Sequence, residues 1–367
     1  MPSKNAATHS KPVSRQPGLR QLWQALLLGA VLTGCAPSLQ RHDSEFLAMG
    51  TLVQLAVLAD SPATAAGLVA PVERSLLLQS IDWYPWTSHT SGELKQLNAA
   101  LAAGDTKTVS PQLQALLQRA LQLHQLSSGY FDPAVAPLTA SWGFADLNAP
   151  IGAIPSQEVL EQWRKDRPTL ADLRIEGAQV SSPRRDLQLD LGAIAKGHAL
   201  QLALQQLQQA GCDDAMLDMG GQIGVVGTNM ASQLAPIAIR DPRNATPLAS
   251  VRLTARESIA TSGDYERFAE QQGRRIHHLL DPFTGTPVTH TQAVTVISAD
   301  PALADAAATA LMAAGPERWQ RIARQLGIRE VLRVDATGAI EVSAALYARL
   351  QWRRSVTHLH AIKQIDL

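Results

Sequence analysis

The chain has 367 residues, 32 Lys and Arg against 32 Asp and Glu, and an apolar share of 46%. The balanced charge argues against a nucleic-acid partner, which needs a basic surface. The apolar share suits one continuous globular body, and two cysteines are too few for a disulfide-built scaffold.

Lys4, Lys11, Arg15 and Arg20 precede a short apolar run from Leu22 to Leu32, with no acidic residue before Cys35. This is the layout of a secretory signal, and the run is too short to span a bilayer. Leu32-Thr33-Gly34-Cys35 resembles a lipobox, which predicts cleavage after residue 34 and lipidation of Cys35; an ordinary cleavable signal fits the same letters. Losing residues 1–34 removes four basic side chains and no acidic one, turning 32 against 32 into 28 against 32, a charge near −4. The expected organisation is a signal at 1–34, a lipid-anchored tether at 35–44 and one domain at 45–367. The expected location is the periplasm of a Gram-negative bacterium. Ala36 is not the aspartate that holds such proteins at the inner membrane, so either membrane remains open.

Glu45 to Leu58 reads as a strand and Pro62 to Ile81 as a helix. Trp83-Tyr84-Pro85-Trp86 opens a polar loop that runs to Gly92, and a helical turn follows from Glu93 to Asn98. Pro111 to Ser127 is an amphipathic helix opened by proline and closed by Gly129. Tyr130-Phe131-Asp132-Pro133 is a turn, and Pro155 to Lys165 is another helix. Beyond Arg174, short strands are expected at 188–191, 215–219, 223–226, 237–240, 250–253, 276–280, 293–297 and 329–334. Two helices, Ile194 to Ala210 and Pro301 to Ala314, stand among them. Antiparallel neighbours outnumber βαβ units, so the fold class is α+β, a single large domain with a mixed or antiparallel sheet and flanking helices.

Gly220-Gly221-Gln222-Ile223-Gly224 follows a strand, but another strand comes next. A dinucleotide fingerprint needs a helix there, and no G-x-x-x-x-G-K-[ST] occurs in the chain. A hairpin turn at Gly220-Gly221 is the expectation.

Chemistry concentrates in three places. Asp190-Leu191-Gly192-Ala193-Ile194-Ala195-Lys196-Gly197 sets a carboxylate and a lysine at a helix start, where free N–H groups favour an anion such as phosphate. A capped helix with a solvent-facing lysine fits the same octet. Asp305 and Thr309 share a helix face at i and i+4 behind the N-cap Asp300, and their oxygens suit Mg²⁺ better than zinc; a local Asp–Thr hydrogen bond would also explain them. His277 and His278 point to opposite faces of a strand, so one of them can face a pocket and take a proton there. Thr261-Ser262-Gly263-Asp264-Tyr265 reads as a polar turn.

Taken in order, these segments resemble the ApbE-type FAD:protein FMN transferases. The resemblance rests on Met49-Gly50-Thr51, Glu93-Leu94 with Leu97-Asn98, Gly129 to Pro133, Asp190 to Gly197 and Gly220-Gly221. It continues through Thr261 to Tyr265, His278 to Pro282 with Thr284-Gly285 and Pro287, and Ala304-Asp305 with Thr309. It implies FAD held by Met49, Trp86, Tyr130, Phe131, Asp132, Asp190, Lys196 and Leu279. It implies Mg²⁺ bound by Ala193, through its carbonyl, with Asp305, Ala308 and Thr309; relatives often carry glycine where Ala193 stands.

The resemblance also implies the reaction: a Thr or Ser hydroxyl of a membrane-associated acceptor protein takes FMN from FAD and AMP departs. His278 is the residue expected to remove the hydroxyl proton. Two rivals stand beside this. A Mg²⁺-dependent FAD pyrophosphatase would use the same pocket with water in place of the hydroxyl, and a non-catalytic flavin-binding lipoprotein would need no base.

Overall fold

The structure is a computed structural model that describes residues 38–86, 92–145, 153–271, 273–353 and 361–367. The signal segment and Cys35 lie outside these residues, as does most of the polar run after Trp86. Gln40–Leu367 form one compact unit. Among the described residues no helix is long and apolar enough to cross a membrane.

Its frame is one nine-stranded sheet whose strands lie side by side in chain order. They are β1 Gln40–Ala48, β2 Thr51–Ala59, β3 Ala215–Met219, β4 Ile223–Val226, β5 Ser258–Gly263, β6 Thr291–Ser298, β7 Glu330–Asp335, β8 Ile340–Ser343 and β9 Ile362–Ile365. Every pairing is antiparallel except β8–β9. The α+β expectation holds.

Alternation explains the layering. Val53, Leu55, Val57, Leu217, Met219, Val294 and Val296 face one side and join the main core. Ala56, Leu58, Val225, Ile259, Ala293 and Ile297 face the other and join a second core. The main core is roofed by helices α1 Pro62–Asp82, α4 Ala195–Gln209 and α5 Pro301–Gln325, which pack on the sheet and on one another. Helices α2 Glu93–Ala103 and α3 Pro111–Leu126 complete that layer. A small sheet of Ile237–Ile239, Ala249–Val251 and Gln351–Trp352 contributes to the second core.

The helix ends follow the capping logic of the sequence. Ser61, Ser110 and Asp300 each accept a first-turn N–H, with proline directly after each. In α5 the helical backbone breaks at Gly315 (φ 70°, ψ 178°) ahead of Pro316, which agrees with the stop expected at Ala314.

Four expectations need correction. The stretch 45–58 is a hairpin, not one strand, because Met49 and Gly50 both take positive φ (54° and 73°) and reverse the chain. Its first strand starts at Gln40, so part of the expected tether at 35–44 belongs to the folded unit. Thr261-Ser262-Gly263, expected as part of a polar turn through Tyr265, instead end the sheet strand Ser258–Gly263; Ser262 and Ala260 look into the helical layer while Thr261 bonds Thr295 on the other face. Residues 188–191, expected as a strand, join no sheet. There the Asn98 side chain stands in for a neighbouring strand: its Nδ2 donates to the Leu189 carbonyl and its Oδ1 accepts the Leu189 N–H, both at 2.9 Å.

Asn98→Ala would leave both Leu189 groups unpaired in the core, where Leu189 is fully buried. Urea unfolding is expected to show a loss of about 2–4 kcal/mol. Asn98→Asp, which keeps an acceptor but loses the donor, should also fall short of the parent.

Candidate active site

The site forms at one end of the sheet, where two tight turns lie side by side. The Met49-Gly50 turn leads into Thr51, and Gly220-Gly221 (φ 69° and 89°) closes the β3–β4 hairpin as expected. A Cβ on Gly220 would sit 2.3 Å from Thr51 Oγ1, so only glycine permits this contact. The turn at Met49 is tied to α1, since its N–H donates to Ser80 Oγ at 2.6 Å.

Against this end stands the start of α4. Ile194 caps it without a side-chain bond, so its first-turn N–H groups need outside partners. Asp305 of α5 supplies one: Gly197 N–H donates to its Oδ2 at 2.9 Å. The two helices meet closely because a Cβ on Gly197 would lie 2.4 Å from the Pro301 carbonyl and 2.7 Å from Asp305 Cβ. Asp305 is 8% exposed. Burial raises its carboxyl above the usual range, while Lys196, the Gly197 N–H and the Gln222 amide pull it back. One turn on, Thr309 Oγ1 lies 3.1 Å from Ser262 Oγ on β5. The structure thus brings Lys196, Asp305 and Thr309 together, and the sequence-distant 190s and 300s share one wall.

Asp190 closes the neighbouring side. Its Oδ1 accepts Gly192 N–H at 2.9 Å and its Oδ2 accepts the Trp86 indole N–H at 3.3 Å. Burial raises its carboxyl, with the Gly192 bond, the Trp86 bond and the charge of Arg267 opposing. The Asp190 N–H donates to the Pro133 carbonyl at 2.8 Å, which sets the Tyr130–Pro133 turn against this segment. Tyr130 is half-buried, its ring 4.9 Å from that of Phe283.

Two expected contacts prove to be turned inward. The Phe131 ring is fully buried in the main core. Asp132 has a fully enclosed side chain that accepts from Arg167 at 2.8 Å, Leu170 N–H at 3.0 Å and Ala134 N–H at 3.1 Å. Its carboxylate holds the turn, and any ligand contact here falls to main-chain groups. Leu279 is buried as well, and its carbonyl accepts Val288 N–H. Ala193 is half-buried and Ala308 buried, so each offers main chain only.

His278 occupies the segment that follows the Arg274–His277 strand. Its Nδ1 lies 3.3 Å from the Arg267 carbonyl, and this partner requires Nδ1 to carry the proton. That tautomer leaves Nε2 as the free acceptor, the form a proton-removing imidazole needs. Burial, with His277, Arg267 and Lys196 adding positive charge, pushes its pKa down to about 3. His277 points the other way and is spent on structure: Nε2 meets the Val288 carbonyl at 2.7 Å and Nδ1 accepts Leu279 N–H. The turn beyond is gripped by two indoles, Trp163 donating to Pro282 O and Trp142 to Gly285 O, both at 2.8 Å.

Sequence reading missed Gln222, Ser262 and Arg267. The first two lay inside segments taken as turns, and the alternation of β4 and β5 was the signal that would have aimed them at the helices. Arg267 carried no signal. Among the described residues no three His, Cys, Asp or Glu side chains converge as a metal cluster. Two surface clefts of about 390 Å³ each, one beside Trp352 and one beside Trp163, include none of the candidate residues.

A family profile described as the ApbE family matches residues 49–332. The FAD:protein FMN transferase of Rhodobacter capsulatus is 40% identical over 321 residues, covering 88% of this chain and 60% of that protein. The chain therefore spans under two thirds of that relative. The Treponema pallidum FAD:protein FMN transferase is 30% identical over 347 residues, covering 89% of this chain and 93% of its own length. Among solved structures, the ApbE protein of Thermotoga maritima superposes with a TM-score of 0.75 at 27% identity, over 84% of this chain and 99% of that one.

His278 should make folding acid-sensitive. An unfolded histidine titrates near 6.5, so its neutral burial contributes fully above that pH and is lost as pH falls toward about 3. At pH 5.0 the loss is roughly 2 kcal/mol. The raised carboxyls of Asp190 and Asp305 act with the opposite sign, so the measurement is a comparison. Urea unfolding of His278→Gln should lose about 2 kcal/mol less than the parent between pH 7.5 and pH 5.0.

Proposed function

The chain belongs to the ApbE family, and we propose that it moves FMN from FAD to a Thr or Ser hydroxyl of an acceptor protein, with AMP as the leaving group. The observation that carries this reading is the Gly197 N–H to Asp305 bond, which joins an anion-favouring helix start to a buried carboxylate. Relatives at 40% and 30% identity are named FAD:protein FMN transferases, which supports it.

The residues fit a magnesium ion. Asp305 gives a buried carboxylate, Thr309 a hydroxyl, and Ala193 and Ala308 main-chain carbonyls; Gln222 adds a buried oxygen without a partner among the described residues. Such an oxygen-only set suits a hard cation that keeps several waters. When bound, Mg²⁺ would neutralise charge that gathers on the pyrophosphate oxygens.

Lys196 makes no hydrogen bond or ion pair among the described residues, so its ammonium is available to a phosphate. Trp86 and Tyr130 offer aromatic faces for a ring system, and Asp190 holds Trp86 in place. The hydroxyl oxygen of the acceptor bonds to the FMN-side phosphorus as the bond to the AMP oxygen breaks. His278 Nε2 takes the hydroxyl proton. A pKa near 3 makes it a weak base in the ligand-free protein, and the negative pyrophosphate beside it raises its basicity on binding. Phosphoryl transfer through a loose transition state leaves most of the work to positioning and charge.

Incubating the protein with FAD, Mg²⁺ and an acceptor should add one FMN mass to the acceptor, read by intact-mass spectrometry. Asp305→Ala is expected to abolish the adduct, and His278→Ala to slow it by roughly 10²-fold or more. AMP and free FMN without an adduct would instead establish the pyrophosphatase reading. Neither product, with FAD still bound, would establish a non-catalytic flavin carrier.

We also place the protein on the periplasmic side of a membrane through lipid on Cys35. Cys35→Ala should shift it from the membrane pellet to the soluble fraction, and a parent protein found only in the soluble fraction contradicts the anchor.

A further inference from the structure

Gln222 follows the Gly220-Gly221 turn and points under the first turn of α4, where it is 4% exposed. Its two ends are treated unequally. The amide nitrogen donates to the Pro301 carbonyl at 3.4 Å and lies near enough to the Asp305 carboxylate to favour its charged form. The same nitrogen would be 2.8 Å from a Cβ on Gly197, so α4, α5 and the hairpin all converge on it. The amide oxygen, Oε1, is buried and has no partner among the described residues. Reversing the amide gives no relief. It would set an oxygen against the Asp305 carboxylate and the Pro301 carbonyl, and leave an N–H unpaired instead. An isolated amide acceptor in the interior is costly, and such groups are rare in native cores.

We infer that Gln222 is a positioning residue for the divalent ion at Asp305. Its amide N–H, acting with that of Gly197, fixes the carboxylate so that its remaining lone pairs face the ion. Its Oε1 is the acceptor for a water that the ion brings with it; Mg²⁺ retains waters, and their hydrogens need acceptors. The inference rests on the reading of Asp305 and Thr309 as the magnesium site.

Calorimetric titration of MgCl₂ into the full chain tests it, with Tm in metal-free buffer as the folding control. Asp305→Ala should show no magnesium heat. Gln222→Leu should bind Mg²⁺ 10- to 100-fold more weakly, with its metal-free Tm equal to the parent's or higher because the unpaired oxygen is gone. Gln222→Asn, which keeps the amide on a shorter stem, should recover part of the affinity. If Gln222→Leu binds within twofold of the parent while Asp305→Ala does not bind, the inference fails and the magnesium site stands. If the parent gives no magnesium-dependent heat, both fall. Should Gln222→Leu not fold, Gln222→Ala, which also removes the amide, decides by the same criterion, since parental affinity there overturns the role.

Discussion

The contact on which the rest depends is the bond between the Gly197 N–H and Asp305. An α-helix begins with donors that nothing inside it can satisfy, and here a carboxylate from another helix satisfies one. The contact demands a residue without a side chain at 197, because the Pro301 carbonyl occupies the space a Cβ would need. It also removes Asp305 from water, which raises its carboxyl and makes nearby positive charge valuable. One short approach therefore sets both the helix spacing and the charge balance around Asp305.

A division of labour follows among residues that look alike on paper. Three aspartates at the site illustrate it. Asp132 spends its oxygens on Arg167 and two main-chain N–H groups, and acts as a structural peg. Asp190 accepts one main-chain N–H and one indole, and so anchors Trp86. Asp305 accepts from the Gly197 N–H, has the Gln222 amide nearby, and keeps further lone pairs. The adjacent histidines split in the same way, His277 saturated by main chain and His278 with Nε2 unassigned.

The site was legible from the sequence wherever chemistry and local periodicity coincide. The i, i+4 spacing of Asp305 and Thr309, the start of α4 after Asp190 and the glycine turn at 220–221 are local properties of the chain, and the structure keeps them. Long-range properties were hidden. Ser262 sits on a strand whose letters are polar because one face meets Thr309 and the other meets Thr295 across the sheet. Residues 188–191 alternate like a strand, yet their partner is the side chain of Asn98, which no pattern within that stretch announces. The inward Phe131 could not be told from an outward one, since a turn imposes no periodicity. The ordering of the relatives' motifs compensated for much of this, and supplied what spacing alone left open.

The sheet runs in chain order, but residues 60–214 intervene between β2 and β3. Strands β3 to β8 are joined to their neighbours by shorter excursions, so they can assemble by successive nearby pairings. Joining β2 to β3 closes a far longer loop and costs more entropy. That excursion contains Trp86, Tyr130, Asp190 and Lys196, whereas Ser262, His278, Asp305 and Thr309 come after it. The candidate site is thus assembled from the long excursion on one side and the C-terminal strands and helix on the other. The site therefore needs the β2–β3 pairing, the costliest loop closure in the sheet, before its two halves can meet.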